Sequence, residues 1–160
     1  MRWFLLDRLI EVLPGKKAVG IKCFTRSEHF FTDHFHGFPI VPAVLQVEMM
    51  ATTAGKAIKI HDDTLLPVVG SIKSAKFYEH VRPGDQCLIT CEIEKLGKTY
   101  ATANCQVSVN GKKVSVATIM FAILPATKLD PNWRDPVVAE WYAANGITDP
   151  RDLKKAGEKA

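Results

Sequence analysis

Apolar and polar positions change their period several times along this chain. Residues 3–13, WFLLDRLIEVL, are largely apolar and compatible with a strand, and Pro14-Gly15 follows as a turn signal. Residues 17–24 alternate in part and read as a second strand. Residues 27–42 are rich in His, Phe and Pro with neither helical nor strand period, which predicts a loop. Residues 43–58, AVLQVEMMATTAGKAI, form the clearest helix, with apolar side chains around most of its circumference. A helix of that kind belongs inside a fold.

From residue 68 to 124 the pattern is that of strands. Residues 68–78 end at the turn Arg82-Pro83-Gly84-Asp85. In residues 87–95, Cys87, Ile89, Cys91 and Ile93 face one way, and Gly97-Lys98 suits a hairpin turn. Ala101, Ala103, Cys105, Val107 and Val109 then share a face, and Asn110-Gly111 is a strong hairpin signal because both residues tolerate positive φ. Residues 114–124 are apolar on both faces for much of their length, as a central strand should be. Two strands, one helix and four strands joined by tight turns predict an α+β fold, an antiparallel sheet wrapped around one long helix. The tail differs: Asp135-Pro136 reads as an N-cap followed by Pro at the first helical position, Gly146 as a stop, and Asp149-Pro150 as the start of another helix. Trp133, Trp141 and Tyr142 are its packing anchors. The expected organisation is a domain over residues 1–124 with a helical extension over 125–160 packed on it.

At 160 residues, 47% apolar and 24% charged, the composition suits one soluble domain with a sizeable core. No stretch is apolar for long enough to span a membrane, and Asp7, Arg8 and Glu11 interrupt the first residues in a way no signal peptide would. The net charge of +4 is diffuse, without the basic stripe and interleaved aromatics of a nucleic-acid surface. Cys23, Cys87, Cys91 and Cys105 show no paired spacing and read as reduced, buried thiols of a cytoplasmic protein.

The loop and helix at 30–50 carry the candidate chemistry. Glu48 stands among Val44, Val47, Met49 and Ala51, where enclosure would favour the protonated acid, a proton donor to a leaving group. The alternative is that Glu48 reaches a solvated edge or pairs with an Arg. His34, fourteen positions upstream, supplies an imidazole base. The helix begins near Ala43, where free backbone N–H groups can hold an enolate-like oxygen. A base, an acid and an oxyanion site suit proton abstraction beside a carbonyl with loss of a β-hydroxyl as water.

The run His34-Phe35-x-Gly37-x-Pro39-Ile40-x-Pro42-x-Val44-Leu45-Gln46-x-Glu48-x-Met50 resembles the 3-hydroxyacyl-[acyl-carrier-protein] dehydratases, whose motif reads approximately HFPGxPxMPGVLQxEAM. The opening FLLDRLIEVLPGKKAVGIK, the turn in AKFYEHVRPGDQC and the final hairpin NGKKVSVATIMFAIL are similar too. Glu48, where the related dehydratase–isomerase branch carries Asp, points to the plain dehydratase branch. The resemblance implies a hot-dog fold and a homodimer with joined sheets, with a trimer of such dimers as a further assembly. It implies His34 of one subunit working with Glu48 of the other, and an oxyanion and substrate site at Gly37, Ala43 and Val44. It implies no metal or organic cofactor, and an acidic acyl carrier protein as partner, with Arg26, Lys73, Lys76 and Arg82 as candidate contacts. Acyl length is expected to depend on how Met49, Met50, Phe77 and residues of the other subunit pack.

Several positions depart from the family pattern. His36 stands for Pro, Ala43 for Gly, Val41 for Met, Met49 for Ala, and Phe38 for a usually polar residue. Ala43 adds a methyl where substrate approaches backbone, Phe38 is placed to line an altered entrance, and His36 either faces solvent, tunes His34 or contacts substrate. A hot-dog thioesterase, which shares the fold and can use an acid on the central helix to activate water, stays open, and the Ala43 and His36 substitutions keep open a degenerate acyl-binding or scaffold subunit paired with an active paralogue. A metal site from His29, Asp33, His34 and His36 is a weaker alternative, because H-x-H spacing has no partner motif here.

Overall fold

The computed structural model describes residues 5–60, 64–126, 135–149 and 152. Six strands make one antiparallel sheet in the order β1-β2-β4-β5-β6-β3. The strands are β1 (Arg8–Leu13), β2 (Lys17–Cys23), β3 (Leu65–Phe77), β4 (Gln86–Leu96), β5 (Tyr100–Val109) and β6 (Lys112–Pro125). Helix α1 (Ala43–Lys59) packs across β1 to β6, and α2 (Pro136–Ala144) lies against β1.

Period-2 alternation sets which side of each strand meets α1. Cys87, Ile89 and Cys91 on β4 are buried, as are Ala101, Ala103, Cys105, Val107 and Val109 on β5. The β5–β6 hairpin turns through Asn110 and Gly111 at φ 50° and 77°, the doubly left-handed geometry that a two-residue hairpin requires. Cys91 and Cys105 face each other across β4 and β5. Both thiols point at the carbonyl of Met50, at 3.3 and 4.0 Å, and so tie the middle of α1 to the sheet. Burial pushes the Cys91 thiol well up and takes that of Cys87 up to about 12. Cys23 departs from the expectation of four buried thiols: it ends β2 with its side chain exposed.

Two further expectations need correcting. Helix α1 is not enclosed all round, because Ala43, Val44 and Glu48 are exposed along its first half, Val44 to 73%. Strand β3 is an edge strand whose residues from Val68 to Phe77 are all exposed. Apolar side chains are among them, including Val68, Val69 and Ile72. Both features lie where a single chain has no further layer.

The tail helix begins as its sequence predicts. Asp135 accepts hydrogen bonds from the N–H groups of Val137 and Val138 at 3.1 and 3.4 Å, with Pro136 at the first position. Gly146 follows the helix at φ 63°. Val138 and Tyr142 join the core, the Tyr142 hydroxyl donates to the Ile60 carbonyl, and Lys56 of α1 forms a buried ion pair with Asp135. Trp133 lies outside the described residues, as does the second tail helix expected after Asp149 apart from Asp152, which is helical and donates its N–H to the Asp149 carbonyl at 2.9 Å. Among the described residues no helix is long and apolar enough to cross a membrane.

Candidate active site

The segment before α1 is a hydrogen-bonded loop. The Ile40 N–H donates to the His34 carbonyl at 3.0 Å, and His34 Nδ1 lies 3.1 Å from the Ile40 carbonyl oxygen. A carbonyl only accepts, so Nδ1 carries the proton and, in the neutral ring, Nε2 keeps its lone pair. Inside this bracket Phe35 and Phe38 exchange backbone hydrogen bonds at 3.1 and 2.9 Å, leaving His36 and Gly37 at the tip. Gly37 has φ 76°, and a Cβ there would meet nothing within 4 Å, so backbone conformation rather than space explains the glycine. The peptide bond between His34 and Phe35 is cis.

Aromatic contacts hold the loop. The rings of His34 and Phe35 stack with centroids 4.1 Å apart. Phe38 meets His80 edge-on at 5.5 Å and lies under the Arg82 guanidinium at 4.7 Å, while the Val41 N–H donates to the Val81 carbonyl at 2.8 Å. Thus Arg82 sits on the loop itself, whereas Arg26, Lys73 and Lys76 are exposed elsewhere. His36 is exposed at the loop tip.

Helix α1 starts at Pro42, which offers no side-chain cap. The first N–H groups of a helix have no intrahelical acceptor. Those of Leu45 and Gln46 turn back to the Pro42 carbonyl at 3.0 and 3.4 Å, and those of Ala43 and Val44 have no acceptor among the described residues. One turn on stands Glu48, approached by the Thr52 hydroxyl at 3.5 Å. The enclosure expected for Glu48 is absent in a single chain: its side chain is exposed and lines an open cavity of about 450 Å³ between α1 and β3.

That cavity separates the two principal residues. Glu48 lines it and His34 does not. Met49 and Met50 do not line it either; both are fully buried in the core. Phe77 is exposed at the far end of β3. Thr52 and Lys56 do line it, at four and eight residues beyond Glu48, a helical spacing that the sequence displays. Buried Gln46, also unforeseen, accepts from the Ser115 hydroxyl at 2.7 Å and fastens the start of α1 to β6. No group of three or more His, Cys, Asp and Glu side chains among the described residues is arranged to hold a metal ion.

A family model described as ApeI-like, ApeI dehydratase, matches residues 13–116. The 3-hydroxyacyl-[acyl-carrier-protein] dehydratase FabZ of Halalkalibacterium halodurans is 39% identical over 123 residues, covering 76% of this chain and 88% of the relative. That of Ruminiclostridium cellulolyticum is 40% identical over 128 residues, covering 78% and 89%. The chain belongs to the 3-hydroxyacyl-[acyl-carrier-protein] dehydratase family. Solved structures give the fold of this dehydratase family member as a hot-dog. The dehydratase heterocomplex ApeI:P of Xenorhabdus doucetiae matches at TM-score 0.59 and 16% identity, covering 73% of this chain and 96% of that one. The protein smu.793 of Streptococcus mutans, bound to acetyl CoA, matches at TM-score 0.61 and 12% identity, covering 78% and 94%. Helix α2 lies beyond the residues that the dehydratase family model matches.

Proposed function

We propose that this chain removes water from 3-hydroxyacyl thioesters carried on acyl carrier protein, giving trans-2-enoyl thioesters for fatty acid biosynthesis. The observation that carries the reading is the pinned proton on His34 Nδ1, which leaves Nε2 as a base at a fixed orientation. Nε2 takes the proton from C2, and charge moves to the thioester oxygen. The N–H groups of Ala43 and Val44 hold that oxygen. As the C2=C3 bond forms, the C3–O bond breaks, and Glu48 supplies the proton that lets the hydroxyl leave as water. No electron or group is transferred, so the reaction as drawn calls for no redox or group-carrying cofactor.

A homodimer with joined sheets, in which His34 works with the partner's Glu48, accounts for the division of the site. In support, His34 does not line the Glu48 cavity, and the apolar edge of β3 invites a covering strand. Such dimers would assemble further by threes. Residues 1–124 serve as the catalytic domain and 125–160 as its extension. The cytoplasm suits four free cysteines and a carrier-protein substrate.

Mass spectrometry of 3-hydroxyacyl groups on acyl carrier protein tests the reading. Loss of water with appearance of enoyl product is the expected result. Release of free acid would show a thioesterase instead, and inertness of the purified chain with activity restored by a paralogue would show a scaffold subunit.

A further inference from the structure

Pro42 opens α1 without a side-chain cap. The usual cap, a Ser, Thr, Asn or Asp oxygen, accepts from the N–H of the second or third helical residue. Here those residues are Val44 and Leu45. A cap oxygen would therefore compete with a substrate oxygen for the Val44 N–H. The start of α1 is held by other contacts.

Those contacts flank Ala43 and Val44. Two residues before Ala43, the Val41 N–H donates to the Val81 carbonyl at 2.8 Å. Two residues after Val44, the Gln46 carboxamide oxygen accepts from the Ser115 hydroxyl at 2.7 Å. The two anchors belong to one body. The carbonyl of Val114, beside Ser115, accepts from the N–H groups of Tyr78 and Glu79 at 2.8 and 3.3 Å, and that segment leads on to Val81.

The second anchor is a buried polar pair: Gln46 is 3% exposed and Ser115 is fully buried. Two apolar side chains of similar shape would hold helix to sheet about as firmly, because the bond returns little more than the hydration its partners lose. What the hydrogen bond adds is a fixed distance and direction, which apolar contact lacks. A helical side chain leans towards the N-terminus of its helix, so this bond acts on the turn that carries Ala43 and Val44.

We infer that Gln46, held by Ser115, is a positioning residue: it fixes the start of α1 in place of a cap and leaves the N–H groups of Ala43 and Val44 to the substrate oxygen. This rests on the oxyanion role proposed for those two groups. Gln46 acts through the turn it anchors.

The test is the double variant Gln46→Met/Ser115→Ala, with both single variants beside it. Replacing both partners leaves no buried polar group unpaired. The urea midpoint of the double variant should therefore stay near that of the unaltered protein, while Ser115→Ala alone should fall below it. In the double variant, kcat for dehydration should drop about ten- to a hundredfold with KM within about twofold, since only the transition-state charge is less well held. The pH profile should keep its shape, because His34 is untouched. The N–H groups of Leu45 and Gln46, which bond to the Pro42 carbonyl, should exchange with deuterium about tenfold faster by NMR. An unaltered kcat at unaltered stability overturns the inference, and so does a kcat that falls only in step with the folded fraction. If the double variant does not fold, unchanged exchange at Leu45 and Gln46 in Gln46→Met overturns it. Faster exchange in a protein that dehydrates nothing supports the anchor and overturns the dehydratase reading instead.

Discussion

The side chain of His34 is hydrogen-bonded to the backbone carbonyl of Ile40, at 3.1 Å, across a loop that the same two residues also close through the backbone. This contact fixes both the tautomer and the direction of the imidazole before substrate arrives. Replacing His34 by Ala should lower kcat by about two to four powers of ten, the range for a positioned general base. Far-UV circular dichroism should remain that of the unaltered protein. Full activity in His34→Ala would remove the residue from the mechanism.

Glu48 and His34 do not meet in one cavity of a single chain, which makes complementation decisive. His34→Ala and Glu48→Gln should each be inactive alone. When equal amounts are unfolded together and refolded, mixed dimers should recover about a quarter of wild-type activity, because half the dimers then hold one intact shared site. No recovery on mixing would assign both residues to the same subunit.

Ile72 lies on the β3 edge with its side chain 50% exposed. Lysine at an exposed edge opposes strand pairing. Ile72→Lys should convert the dimer to a monomer in sedimentation and reduce turnover by more than tenfold, with the monomer still folded. A fully active monomer would rule out a shared site.

The Lys56–Asp135 pair is buried, so removing one partner strands the other charge. Lys56→Met alone should cost about 3 to 5 kcal/mol in urea unfolding, and Lys56→Met with Asp135→Asn markedly less. Equal costs for single and double replacement would show that the pair is solvated.

Cys87 should make the fold alkali-sensitive. Its thiol is raised from 9.0 to about 12 by burial, so the folded state holds a proton that the unfolded chain gives up first. This contribution is fully present below pH 9 and is lost as pH rises from 9 towards 12. Cys87→Ala should therefore show a shallower fall in stability over that window. In native protein at pH 8, alkylation should label Cys23, the exposed thiol, well before the three buried ones.

The element order, the hairpin at Asn110-Gly111, the Asp135 cap and the loop-then-helix placement of His34 and Glu48 were all readable in the sequence, because each depends on neighbours a few residues apart. Turn geometry, helix capping and periodicity are local physics. What surrounds those residues was not readable. The apolar run around α1 implied burial on every side, yet the sheet covers only part of it and leaves Val44 and Glu48 on an open face, beside a β3 edge that no strand of the same chain covers. Nor does any local pattern join Lys56 to Asp135, which come together only because α2 folds back against β1 and the end of α1. Such contacts depend on which surfaces meet once the chain has closed on itself. Thus the sequence by itself determined the identity and order of the candidate acid and base, while the tertiary structure decided which side chains share a cavity.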